Sequence, residues 1–190
     1  VAQTYHKTKE AEPVTAQTLP LSKQDSGPFK WWHAAAFWLV VNTPGFVTGW
    51  REQLFPGFLE PPLRPPGFVF PVLWFAINVC TLWAGLRILN SKSLKRRSMH
   101  IALQGLFWLD FLLFPYFFFG KSSPIIGGML TQIIFVLALA EVVTLWRDDR
   151  TASILMMPLL AWGAFAGLYL STWQMLYNPD PFLGVPALLS

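Results

Sequence analysis

Charge is scarce in this chain: only 13% of its 190 residues are Asp, Glu, Lys or Arg. A water-soluble domain usually carries about a quarter, so an ordinary soluble fold is a poor reading. Cysteine is rarer still. Cys80 stands alone inside an apolar run, which excludes an internal disulfide and points to packing rather than chemistry. The few histidines and the lone cysteine form no cluster at metal-ligand spacing,. There is no Gly-rich phosphate loop and no Ser-His-Asp arrangement, so no catalytic constellation is expected.

What is abundant is apolar and aromatic: 54% hydrophobic and 16% Phe, Trp or Tyr, gathered in long uninterrupted runs. Such a chain has lipid as its main solvent. The formal charge of +4 does not point to nucleic acid. Its basic residues sit at the ends of apolar segments, where they set topology and meet lipid headgroups.

The expected architecture is an all-α membrane protein, a bundle of five transmembrane helices with a polar N-terminal arm. The arm covers residues 1–29, which are rich in Lys, Glu, Gln, Thr and Pro and show no apolar periodicity,. It begins at Val1 and has no signal-peptide core, compatible with the remainder of a cleaved transit peptide. The transmembrane domain covers residues 30–178, with spans near 31–49, 68–89, 99–119, 125–146 and 154–177. A Pro-punctuated tail, 179–190, follows. His33, Asn42 and Pro44 interrupt the first span, and Pro44 should kink it. The connection EPPLRPPG ahead of the second cannot be helical throughout,. Only GKSSP separates the third and fourth, which forces an antiparallel pair.

With five spans the termini face opposite sides. Eleven of the fourteen Lys and Arg then fall on the N-terminal side, and only Arg51, Arg64 and Lys121 on the other. The positive-inside rule puts the N-terminus on the cytosolic, matrix or stromal side. The membrane expected is organellar (mitochondrial or plastid) or the bacterial inner membrane. Trp31, Trp32, Trp50, Trp146 and Tyr177 sit near span ends, as interfacial anchors do.

Three stretches carry a family likeness. PPGFVFPVLW (Pro65 to Trp74), FPYFFFG (Phe114 to Gly120) and PLLAWGAFAGLYLSTW (Pro158 to Trp173) occur in order on the second, third and fifth spans. Together with the short third loop they resemble the translocator protein/tryptophan-rich sensory protein (TspO/MBR) family. The match is divergent. Phe68 replaces the family's usual Trp, and Pro71 comes one position early. Phe111, Leu112, Leu113 and Phe114 stand for an Asn-Trp-x-Trp lead-in, and Leu170 stands for an Asn. The resemblance implies the five-helix fold. It also implies binding of a tetrapyrrole such as porphyrin or haem, or of a sterol, in a pocket lined by Trp, Phe and Asn.

Residue by residue, alternatives stay open. Trp74 and Asn78 share a face of the second span; they present an indole and an amide to a ligand, or Asn78 bonds a neighbouring helix. Phe107, Asp110, Phe111, Phe114 and Phe118 form a helical stripe, with Trp108 beside it. Asp110 and Glu141 are acids inside spans, where an acid usually faces a cavity or a partner. Trp162, Phe165, Tyr169 and Trp173 share one face of the fifth span. Gly163 and Gly167 offer a close-packing face that meets a helix of this chain or of another. His33 and His100 are candidate axial ligands for a haem or chlorophyll metal, though no spacing pattern supports them.

Two functions compete. One is a ligand-binding membrane protein holding a tetrapyrrole (porphyrin, haem or chlorophyll type) or a sterol, possible homodimer included. The other is a non-catalytic accessory subunit of a larger respiratory or photosynthetic membrane complex, for which the arm, extended first loop and tail supply contact surface.

Overall fold

The structure, a computed structural model, describes residues 27–48 and 54–189. Most of the expected N-terminal arm, together with Trp50 and Arg51, lies outside the described residues. Among the described residues, regular structure is all helical apart from an isolated bridge between Asp180 and Val185. Five helices follow one another: α1 Trp31–Thr48, α2 Val69–Asn90, α3 Arg97–Gly120, α4 Pro124–Asp148 and α5 Arg150–Tyr177.

Helices α2 to α5 are each long and apolar enough to cross a membrane. Helix α1 does not reach that standard, because Trp31, Trp32, His33, Asn42 and Pro44 dilute its apolar run. It nevertheless travels the length of the bundle. Phe29, just ahead of it, exchanges hydrogen bonds with the Asn90 side chain at the end of α2 (3.0 and 2.8 Å). Midway, Phe37 meets Trp108 edge to face, and Thr48 lies beside Gly120 at the far end of α3.

The helix ends show why the chain turns where it does. Pro124, which has no N–H to leave unpaired, opens α4 behind a Ser123 cap,. The buried Asp180 carboxylate accepts from Ser123 Oγ (2.6 Å) and Ile125 N (3.0 Å), so the tail folds back onto the start of α4. Asp149 caps α5 by accepting from Ala152 N (3.0 Å). That helix therefore starts at Arg150, ahead of its apolar run.

Asp149 also takes two nitrogens of Arg87 at 3.0–3.2 Å, tying α2 to α5. Its neighbour Asp148 accepts from Arg96 at 3.0 Å twice and lies 3.1 Å from His100 Nε2. The bond from Arg96 to Asp148 raises the guanidinium pKa above its already high ordinary value. Arg97 in turn donates to the last carbonyls of α2, at Ile88 and Leu89, as a cation at a helix C-terminus should. One end of the bundle is thus held by a cluster of charged side chains.

Helices α4 and α5 make the closest pair. A Cβ at Gly163 would stand 3.2 Å from Phe135 Cα, and one at Gly167 would stand 3.0 Å from Thr131 O. Only glycine permits that approach. The small-residue face therefore meets α4 of this same chain.

Two segments depart from α geometry. The last turn of α3, Tyr116–Gly120, and the middle of α5, Ala164–Ser171, are π-helical. Both widened stretches border the same cavity.

Candidate ligand-binding site

A cavity of about 480 Å³ lies between α1, the α1–α2 connection and the facing sides of α2, α3, α4 and α5. That is a ligand-sized volume. Its walls are aromatic: Phe70 and Trp74 from α2, Phe111, Phe114, Phe118 and Phe119 from α3, and Trp162 from α5. Phe114 and Phe118 stack nearly parallel at 5.0 Å. Trp162 meets Phe70 (5.6 Å) and Trp74 (6.4 Å) edge to face, and Trp74 contacts Phe111 at 5.2 Å. Such interlocked rings form rigid apolar slabs.

The roof is the α1–α2 connection, through Leu54, Phe58, Pro61 and Arg64. Its prolines keep it out of a helix, and three of its backbone groups bond to side chains of α5 and the residue that follows it. Asn178 accepts from Leu59 N (2.6 Å) and donates to Leu59 O (3.0 Å). Tyr169 OH accepts from Leu63 N at 3.3 Å. The polar lining groups are few: Asn42, Arg64, Thr131, Ser171 and Gln174. Arg64 is paired with Glu60 one turn before it.

Of the residues picked out from the sequence, the structure brings Trp74, Phe114, Phe118 and Trp162 to the wall. Others sit elsewhere. Asn78 and Asp110 are buried within the bundle, each with one side-chain oxygen lacking a hydrogen-bond partner among the described residues. The Trp162 indole N–H has none either. Trp108 donates to Gln104 Oε1 (3.2 Å), and Gln104 donates to Glu141 Oε1 (3.1 Å). This chain of bonds joins α3 to α4 and gives Glu141 an interhelical partner.

Phe165 leans on Trp162 and Tyr169, while Trp173 stacks on Tyr177 at 4.7 Å; neither lines the cavity. The π segment explains this. Its wider turn takes extra residues, so the face that begins with Trp162 continues through Ala166, Leu170, Ser171 and Gln174,. Ala166 would share that face in a regular helix as well; it is Ser171 and Gln174 that the wider turns bring round, where regular periodicity continues through Tyr169 and Trp173,.

His33 Nδ1 accepts from Lys30 N at 2.9 Å, and its ring stacks on Trp32. His100 is fully buried and bonded to Asp148. Neither lines the cavity. Among the described residues no group of three or more His, Cys, Asp or Glu is placed to hold a metal.

Sequence reasoning missed the contributions of α1 (Val41, Asn42, Gly45, Phe46), of the loop, and of Thr131 and Gln174. Arg64 carried a signal, as a cation inside the Pro-rich stretch EPPLRPPG.

The sequence model of the TspO/MBR family matches residues 34–176. That is most of the chain and all five helices in part. The chain belongs to the TspO/MBR family. A relative is the tryptophan-rich protein TspO of Chlorobaculum tepidum, 25% identical over 124 residues, which are 64% of this chain and 77% of that protein. As a TspO/MBR protein with four clearly apolar spanning helices, the chain is an integral membrane protein.

Proposed function

We propose that this TspO-like membrane protein binds a tetrapyrrole in the 480 Å³ cavity, without transforming it, and that α1 spans as the fifth transmembrane helix. The observation that carries the reading is the set of aromatic slabs from three helices closed over by a loop bearing Arg64. Flat rings suit a planar macrocycle, and a guanidinium at the roof suits the carboxylates at its edge. A sterol would use the apolar walls but would leave Arg64 without an anionic partner from the ligand. The lining contains no imidazole or thiolate among the described residues, so a metal-free porphyrin fits better than a haem needing an axial side chain. The end-to-end course of α1, from Asn90 to Gly120, supports the fifth span.

The test is an absorption titration of detergent-solubilised protein with protoporphyrin. Saturable binding is expected. Trp74→Ala and Trp162→Ala should each weaken it about tenfold, the worth of one good aromatic contact. Trp173→Ala, away from the cavity, should leave it unchanged. Equal loss in all three, or none in any, would count against the assignment, as would displacement of porphyrin by a neutral sterol at equal concentration.

A further inference from the structure

A second, larger cleft of about 1230 Å³ opens along the N-terminal half of α1, toward the N-terminal end of the bundle. One wall is a single face of α1, at Trp31, Ala34, Ala35 and Trp38; the other is a face of α2, from Phe75 to Asn90. Trp38 and Phe75 meet edge to face at 6.2 Å and close the inner end. At the other end the Asn90 side chain clips α2 to Phe29. The α2 face is exposed, with Phe75, Val79 and Trp83 each roughly half open or more. At about 1.5 Å per residue, the stretch from Phe75 to Asn90 spans about the depth of one membrane leaflet.

The chemistry of the cleft changes along that depth. Its inner part is apolar, and the small side chains of Ala34 and Ala35 leave room between the helices. Its outer rim carries Lys30, Arg87, Lys92, Ser91 and Ser93, against one carboxylate, Asp149. Asp149 is already taken by Arg87. Lys30 and Lys92 have no carboxylate partner among the described residues. The rim therefore holds two uncompensated ammonium groups at headgroup level, above a slot suited to an acyl chain.

We propose that this cleft is a binding site for one anionic glycerophospholipid of the leaflet on the N-terminal side, with its phosphate between Lys30 and Lys92 and a chain along Ala34, Ala35, Val79 and Leu82. A zwitterionic lipid would fill the slot equally but would gain less from the rim. Lipid so held would also fill the wide gap between α1 and α2.

The test is native mass spectrometry of the full chain in mild detergent, titrated with phosphatidylglycerol and separately with phosphatidylcholine. One retained phosphatidylglycerol per chain is expected, preferred over phosphatidylcholine by about tenfold or more, since each lysine near a surface contributes severalfold. The double variant Lys30→Gln/Lys92→Gln should bind the two lipids equally. Ala35→Trp, which fills the slot, should bind neither. Monodisperse elution and an unchanged helical circular-dichroism spectrum show that each variant is folded. Equal retention of both lipids by the unaltered chain would overturn the proposal, as would an unchanged preference in the double variant. So would lipid binding that emerges only after removal of residues 1–26, because the arm would then be the occupant. Porphyrin binding is read separately, because its cavity lies along the C-terminal half of α1, beyond the Trp38–Phe75 contact.

Discussion

Helices α4 and α5 meet backbone to backbone, whereas α1 stands away from its neighbours with one cavity along each half of its length. On the α4–α5 side, Gly163 and Gly167 bring main chains into contact, and Asp149 and Asp180 cap the two helix starts. On the α1 side, Gly45 faces open space, with nothing within 4 Å of where a Cβ would be. Both cavities are lined by α1. One bundle thus combines a rigid half, where small residues and buried hydrogen bonds fix the geometry, with an open half, where bulky rings hold space. Without a hydrophobic drive between helices in lipid, packing and polar bonds decide which halves close.

That contrast predicts a graded set of responses, read as thermal unfolding in detergent. Gly167→Val has the largest effect expected: its side chain meets the α4 backbone, at a cost of about 3 kcal/mol or outright failure to fold. Next comes Asp180→Ala, which removes the acceptor for Ser123 Oγ and Ile125 N at the start of α4. A loss of about 2 kcal/mol follows from a missing cap plus an unpaired buried donor. Glu141→Leu leaves the Gln104 amide only the weak Met156 Sδ acceptor, for about 1–2 kcal/mol, while Glu141→Gln keeps an acceptor in place and should stay within about 0.5 kcal/mol of the parent. The smallest effect belongs to the open half. Gly45→Ala replaces a helical glycine where there is room, and should raise stability by about 0.5 kcal/mol. If Gly45→Ala were as damaging as Gly167→Val, the division into closed and open halves would fail.

Much of this was legible before the structure. Lysine and arginine confined to the ends of apolar runs announced a membrane bundle, and the PPGFVFPVLW and FPYFFFG stretches announced the family. Trp74, Phe114, Phe118 and Trp162 were named as ligand candidates, with helix packing as the competing use, and they stand in the cavity wall. What was not legible depends on deviations from regular geometry. The π turns at Tyr116–Gly120 and Ala164–Ser171 leave no mark in composition, yet one of them brings Gln174 to the cavity in place of Trp173. Glu141 was open equally to ligand contact and to a bond inside the bundle, since an acid in a span demands a partner. Its partner is Gln104, on another helix, which sequence spacing cannot pair with it. Gly163 and Gly167 were visible as a close-packing face, but the helix they meet depends on the folded arrangement.

The central claim is that the cavity between α1 and the aromatic walls is where a tetrapyrrole binds. Gly45→Trp tests it most directly, because Gly45 lines that space and has room beside it. The measurement is the protoporphyrin titration of this variant beside the parent, with unfolding temperature recorded for both. The account predicts a folded protein of nearly unchanged stability that has lost porphyrin binding. Porphyrin bound with parental affinity by the filled, folded variant would contradict it.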